Sequence, residues 1–205
     1  MIAIIDNNYS NLKSISNALG FLNFSYEIIK AEDLTDKYSH TIIPGVGNFS
    51  KAMKDLKKNK GDKKIIQFSN TKKPIMGICL GMQLLASSGD ESGPVNGLNL
   101  IPGFIKKISI DKNHFLPHIG WNSVKFLKDH IVLDGIKDEI DFYFVHSYSF
   151  NLENEDFALG KTFYYENFNS IVTKGNIIGF QFHPEKSQKY GLRILKNFCN
   201  WKTAC

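Results

Sequence analysis

The stretch PIMGICLGMQLLAS, residues 74–87, joins two patterns. PIMGICL (74–80) is an apolar run of strand length, and GMQLLAS continues it with helix-favouring residues. At the junction Gly77 and Gly81 stand two places either side of Cys79. A sharp strand-to-helix turn crowds its neighbours, so positions two before and two after its apex must be small. Such a turn lifts the apex side chain out of the sheet and sets it at a helix N-terminus, where the dipole favours negative charge. It also leaves the N–H of Leu80 free to stabilise an oxyanion. A buried structural cysteine needs no such frame, yet the pentapeptide alone leaves both readings open.

Outward from this elbow, the first half alternates. Met1–Ile5 is a short apolar run ending at Asp6 and reads as a buried strand. YSNLKSISNALG (9–20) places Leu12, Ile15 and Leu19 at helical spacing, with Gly20 as the stop. FSYEIIK (24–30) reads as a strand, HTIIPGVGNF (40–49) as a strand entering a glycine turn, and the segment after it as a helix. This order predicts an α/β fold with an open, mostly parallel sheet and helices on both faces. In such sheets functional groups gather beyond the carboxyl ends of the strands, so PGVGNF and GICLGMQ are expected to face one another.

The second half holds shorter β-like runs: FIKKISI (104–110), DFYFVHSYSF (141–150), FALGKTFYY (157–165), SIVTKG (170–175) and NIIGFQFH (176–183). They predict extra short strands completing one domain over 1–205, in an order that periodicity cannot assign. SQKYGLRILKNFCNW (187–201) predicts a last helix with Leu192, Leu195 and Phe198 on one face and Cys199 as a core residue.

Composition narrows the class. The 205 residues suit one domain with a sizeable core, and 42% hydrophobic with 22% charged residues excludes a disordered chain. The net charge is +5, and KAMKDLKKNKGDKK (51–64) holds seven lysines against two aspartates. No aromatic side chains interleave there to stack bases, so it reads as a solvated helix face and no nucleic-acid partner is expected. Cys79, Cys199 and Cys205 form no close pair, which argues against a disulfide framework or a zinc site. No stretch approaches the roughly 18 apolar residues of a membrane span, and a reducing cytoplasm fits best.

A thiolate nucleophile needs a base, and the base needs an orienting group. Of six histidines, His183 closes the apolar strand IIGFQF and is followed by Pro184 and Glu185. The proline restrains the backbone, so Glu185 can turn back onto the second ring nitrogen. Cys79, His183 and Glu185 are thus the expected nucleophile, base and orienter.

GICLGMQ together with FQFHPEKS resembles the class I, triad-type glutamine amidotransferases. PGVGNF (44–49), GLNLIPG (97–103), PHIGWN (117–122), FVHSYSF (144–150) and HPEKS (183–187) are similar, within that class, to the glutaminase subunit family of imidazole glycerol phosphate synthases. The resemblance spans nearly the whole chain. It implies hydrolysis of L-glutamine through a glutamyl thioester, with the ammonia passed to a cyclase subunit, a (β/α)₈ barrel, in a heterodimer of the histidine pathway. It implies no cofactor and no metal. Gly47 and Leu80 would form the oxyanion hole, and Gln83 and Glu91 would hold the substrate. The backbone of His146, Ser147 and Tyr148 would flank its α-carboxylate. Asn11, Trp121, Asn122 and Lys186 match positions at the partner surface around the ammonia passage.

One departure stands out. Where the family commonly has an aspartate–tyrosine–glycine–x–glycine–asparagine pattern, this chain reads DNNYSN (6–11), keeping Asp6 and Asn11 but not the glycines. In the family that loop lies near the partner surface. A glutaminase feeding a sugar-modifying enzyme of surface-polysaccharide synthesis therefore stays open, as does a non-catalytic regulatory subunit.

Overall fold

The computed structural model describes residues 1–7, 11–110 and 115–203. Asn8, Tyr9 and Ser10 of the DNNYSN loop, His114 and Cys205 lie outside the described residues. The first half forms β1 (Ile2–Ile5), α1 (Leu12–Phe21), β2 (Tyr26–Ile29), β3 (His40–Gly45), α2 (Phe49–Lys58), α3 (Gly61–Ser69), β4 (Ile75–Cys79) and α4 (Leu80–Leu84). The second half adds the short β5 (Ser88–Gly89) and β6 (Val95–Asn96), then β7 (Gly103–Lys107), β8 (His118–Phe126), β9 (Ile140–His146) and β10 (Tyr148–Leu152). β11 (Ala158–Tyr164), β12 (Glu166–Lys174), β13 (Ile177–Phe180) and α5 (Gln188–Asn200) complete it.

The sheet runs β2-β1-β3-β4-β13-β12-β10-β7-β5-β6, and its first five strands are parallel. From β12 onward the pairing is mostly antiparallel, with β11, β8 and β9 branching off β12. Strands β1, β3, β4 and β13 are buried at every position. Helices cover both of their faces, which is why these strands read as largely apolar runs, broken only by His40 and Thr41 at the start of β3. Side chains alternate between two core layers: Ile2 and Ile4 face α1 and α5, while Ala3 and Ile5 face α2 and α3. Cys199 of α5 is buried in the first layer, as expected, and burial pushes its thiol up to about 12. Among the described residues no helix is long and apolar enough to cross a membrane.

Local details differ from the sequence expectation, each for a physical reason. Gly20 does not stop α1. The helix runs through Phe21, and the reversal falls at Asn23, whose φ of 59° lets Phe24 N–H reach Leu19 O at 3.0 Å. Asparagine tolerates that left-handed conformation, so glycine is not required. The lysine-rich segment makes two helices, parted at Lys60 (φ 60°). At the break Gly61 presses on Ala31, where an added Cβ would come within 2.6 Å of the alanine methyl. DFYFVHSYSF is cut at Ser147, because β9 pairs with β8 whereas β10 pairs with β7 and β12. PHIGWN, read only as a motif, opens the long strand β8.

Candidate active site

β3, β4 and β13 lie side by side, with Gly45 opposite Cys79 and Phe180 opposite Ile78. The three chain segments leaving their carboxyl ends therefore meet: PGVGN, the elbow, and QFHPE. Cys79 adopts φ 53° and ψ −111°, a conformation costing about 1–3 kcal/mol that packing must hold in place. Both elbow glycines are required by close approach. A Cβ at Gly77 would sit 2.6 Å from Gly81 O, and one at Gly81 would sit 1.7 Å from Ile43 O on β3. We expect Gly81→Ala to lower stability by about 3 kcal/mol, read as a shift of the urea midpoint at unchanged slope. A wild-type midpoint would show that the elbow does not need its glycine.

His183 and Glu185 assemble as the sequence predicted. His183 Nδ1 bonds Glu185 Oε1 at 2.7 Å, and the two side chains are only 3% and 2% exposed. The turn between them is fastened to β9. His183 N–H bonds Tyr143 O at 2.9 Å, Tyr143 N–H bonds Ser187 Oγ at 3.0 Å, and Ser187 Oγ bonds His183 O at 2.7 Å. Burial is the largest single influence on the imidazole and lowers its pKa. Cys79 and Glu185 together outweigh it and raise His183 well above the ordinary histidine value. The ring is therefore built to accept and hold a proton. Its Nε2 has no aligned hydrogen bond, and Cys79 Sγ instead approaches Val145 O at 3.7 Å.

Cys79 faces a cavity of about 500 Å³, the size of a small-molecule site, while His183 and Glu185 stand behind it. Gly47, Leu80, Gln83, Glu91, His146, Ser147 and Tyr148 all line the same cavity. Leu80 opens α4, so its N–H has no acceptor within the helix. Gly47 lies in the loop after β3 at φ 117°, a conformation that favours glycine. One oxygen of Glu91 takes the N–H of Phe49 at 2.6 Å, which ties the glutamate to the start of α2. Burial raises its pKa against the bonds from Phe49 and Asn48 that lower it.

Three contributors escaped the sequence reading. Gln181 is fully buried, takes an amide hydrogen of Gln83 on Oε1 at 3.1 Å, and points Nε2 at Cys79 Sγ from 3.8 Å. A lone amide inside the apolar run IIGFQF was the available signal. Asn7 Nδ2 holds Pro44 O at 2.7 Å, bracing the loop that carries Gly47. Buried His118 contacts His146.

Of the four residues expected at a partner surface, two meet. Trp121, 48% exposed, packs on Tyr143 at 6.1 Å between rings, and Lys186 Nζ lies 5.6 Å over the same ring. Asn122 neighbours them on β8, but its amide is engaged within the chain. Asn11 stands apart at the start of α1, exposed and with no side-chain capping bond. Among the described residues no three His, Cys, Asp or Glu side chains converge as a metal site would need.

The chain belongs to the class I glutamine amidotransferase family, whose model matches residues 3–201. It is 42% identical over 207 residues to the imidazole glycerol phosphate synthase subunit HisH of Sulfurimonas denitrificans, covering 98% of this chain and 99% of that one. The HisH of Methanocaldococcus jannaschii is 44% identical over 201 residues, covering 97% and 98%. Among solved structures, PurLQS from Thermotoga maritima superposes with a TM-score of 0.74 over 97% of each chain, at 16% identity. That last likeness concerns the fold alone.

Proposed function

We propose that this chain is the glutaminase subunit of an imidazole glycerol phosphate synthase, acting in the cytoplasm as one domain over 1–205. Full-length relatives bearing that subunit name support the assignment. They favour a histidine-pathway cyclase over a sugar-modifying acceptor. The observation that carries the chemistry is Cys79 on a strained elbow at the cavity wall, with the buried His183–Glu185 pair behind it.

With the thiol's proton already resting on His183, whose hold on it Cys79 and Glu185 strengthen, sulfur attacks the side-chain amide carbon of L-glutamine. Leu80 and Gly47 N–H groups would receive the oxyanion. Collapse returns the proton to the departing nitrogen, releasing ammonia and leaving a glutamyl thioester. Water, activated by His183, then hydrolyses the thioester to glutamate and the free thiol. Glu185 holds Nδ1–H throughout, so Nε2 keeps the reacting face. The ammonia passes to a cyclase subunit, a (β/α)₈ barrel docked in a heterodimer over the Trp121–Lys186 face, and never meets bulk water, where protonation would end its nucleophilicity.

In the free chain the sulfur lies against Val145 O and Nε2 of His183 is unengaged. We therefore expect weak hydrolysis by the isolated chain and at least about a tenfold rise in kcat when the cyclase docks, equal to about 1.4 kcal/mol off the barrier. Glutamate release is measured with and without the partner, alongside glutamine-driven formation of imidazole glycerol phosphate. Equal turnover in both conditions would sink the partner dependence, and a cyclase indifferent to this chain would sink the acceptor.

A further inference from the structure

A buried line of hydrogen bonds joins the outer strand β8 to the wall of the cavity, and it admits one orientation. The carbonyl oxygen of Tyr148 can only accept. It takes Nδ1–H of His146 at 2.8 Å and an amide hydrogen of Gln83 at 3.1 Å. With Nδ1 donating, a neutral His146 presents Nε2 as acceptor, so Nδ1 of His118, 3.1 Å away, must carry the hydrogen. Nε2 of His118 is then the acceptor for the Asn122 amide at 3.3 Å. The amide's second hydrogen goes to Phe163 O at 2.9 Å, and its oxygen takes Ser123 N–H at 2.8 Å. Every ring nitrogen is used, with both imidazoles neutral and protonated on Nδ1. Burial holds both rings far below the usual histidine value, so neither is charged near neutral pH.

We propose that His118 is a positioning residue for the glutamine site, holding the His146 ring so that it clamps the backbone corner at Ser147. The proposal rests on the glutaminase reading of that cavity. His118 does not line the cavity, while Ser147 and Tyr148 do. At Ser147 the chain leaves β9, paired to β8, and enters β10, paired to β7. Ser147 belongs to neither strand, and a bond from Ile108 N–H to Ser147 O at 3.0 Å holds one side of this corner, which the substrate's α-carboxylate would meet. The His146 ring bridges the corner by bonding a carbonyl two residues on. His118, directly opposite on β8, secures the ring's other nitrogen. Stacking between Phe144 at 4.9 Å and Tyr164 at 3.9 Å keeps His118 in place.

Removing that donor leaves Nε2 of His146 buried and unpaired, so the ring must change tautomer or turn, and Tyr148 O loses its clamp. His118→Phe keeps the stacked ring and deletes the donor. We expect it to raise KM for glutamine about tenfold, the size of one lost buried hydrogen bond, with kcat within about threefold. His118→Asn loses the ring but offers an amide N–H where Nδ1 stood, and its KM stays within about threefold of wild type. The reverse order, or equal KM in all three proteins, overturns the proposal by making His118 a packing residue. Ring nitrogen–proton correlation spectra of the ¹⁵N-labelled wild type at pH 7.5 supply an arm that needs no variant to fold. Both rings are expected as neutral Nδ1–H tautomers, and Nε2–H or a charged ring at either position overturns the line. A wild-type chain that hydrolyses no glutamine even with its cyclase would refute the glutaminase reading instead, leaving the tautomers to decide the hydrogen-bond line.

Discussion

Cys79→Ala is expected to lower glutamine hydrolysis by at least about 10⁴-fold, while ammonium salts still drive the partner's cyclisation. The reason is positional as well as chemical. The elbow turns Cys79 into the cavity with His183 and Glu185 behind it, and the other cysteine among the described residues, Cys199, is buried in the α5 layer. Alanine removes the sulfur without touching the two glycines on which the turn depends, so the fold and the cyclase-facing surface persist. Glutamate release and ammonium-driven product formation, assayed on one preparation, separate loss of the nucleophile from loss of the complex. Glutamine hydrolysis retained in this variant would remove Cys79 from its role.

Stability is expected to fall steeply as pH drops from 7 to 5. His118 and His146 are buried and neutral in the folded chain, and desolvation lowers them to about 4 and about 3. Unfolded, each titrates near the usual histidine value of about 6.5. Over this window the unfolded chain therefore binds more protons, and stability rises with pH. The two rings together contribute a loss of about 4 kcal/mol between pH 7 and pH 5, taking their folded values as about 4 and about 3. His40 and His130, also lowered by burial, act in the same direction. His183 has the opposite sign: its raised value contributes stability that is full below pH 6.5 and is lost at alkaline pH. Urea denaturation at half-unit pH steps measures the slope, and His118→Phe should remove about one proton from it. A flat profile from pH 7 to 5 would mean that the rings are not buried as neutral groups.

The legible parts of this chain were those whose chemistry is local. Gly77 and Gly81 declare the elbow because a tight turn excludes side chains from its own flanks. HPE declares the base and its orienter because two residues suffice to bring Glu185 back onto His183. The apolar runs at 2–5, 42–45, 75–79 and 177–180 declare buried parallel strands, since helices cover both faces. Less legible were features set by partners far along the chain. Nothing near Ser147 marks it as the point where one strand ends and another begins. That is decided by β8 on one side and β7 on the other. Gln181 and His118 are ordinary polar residues until their neighbours across the sheet are known.

By itself the sequence determined the parallel α/β core, the elbow and the three side chains proposed to react, because backbone sterics and short-range geometry leave a written pattern. Only the tertiary structure decided that β13 lies next to β4, which brings residues 79 and 183 together at one strand end. It alone decided that a carbonyl at Tyr148 orients the histidines of β8 and β9 and the amides of Gln83 and Gln181. Hydrogen-bond direction is a property of the assembled network: each donor is fixed by the acceptor it meets, and the chain learns which acceptor that is only once it has folded.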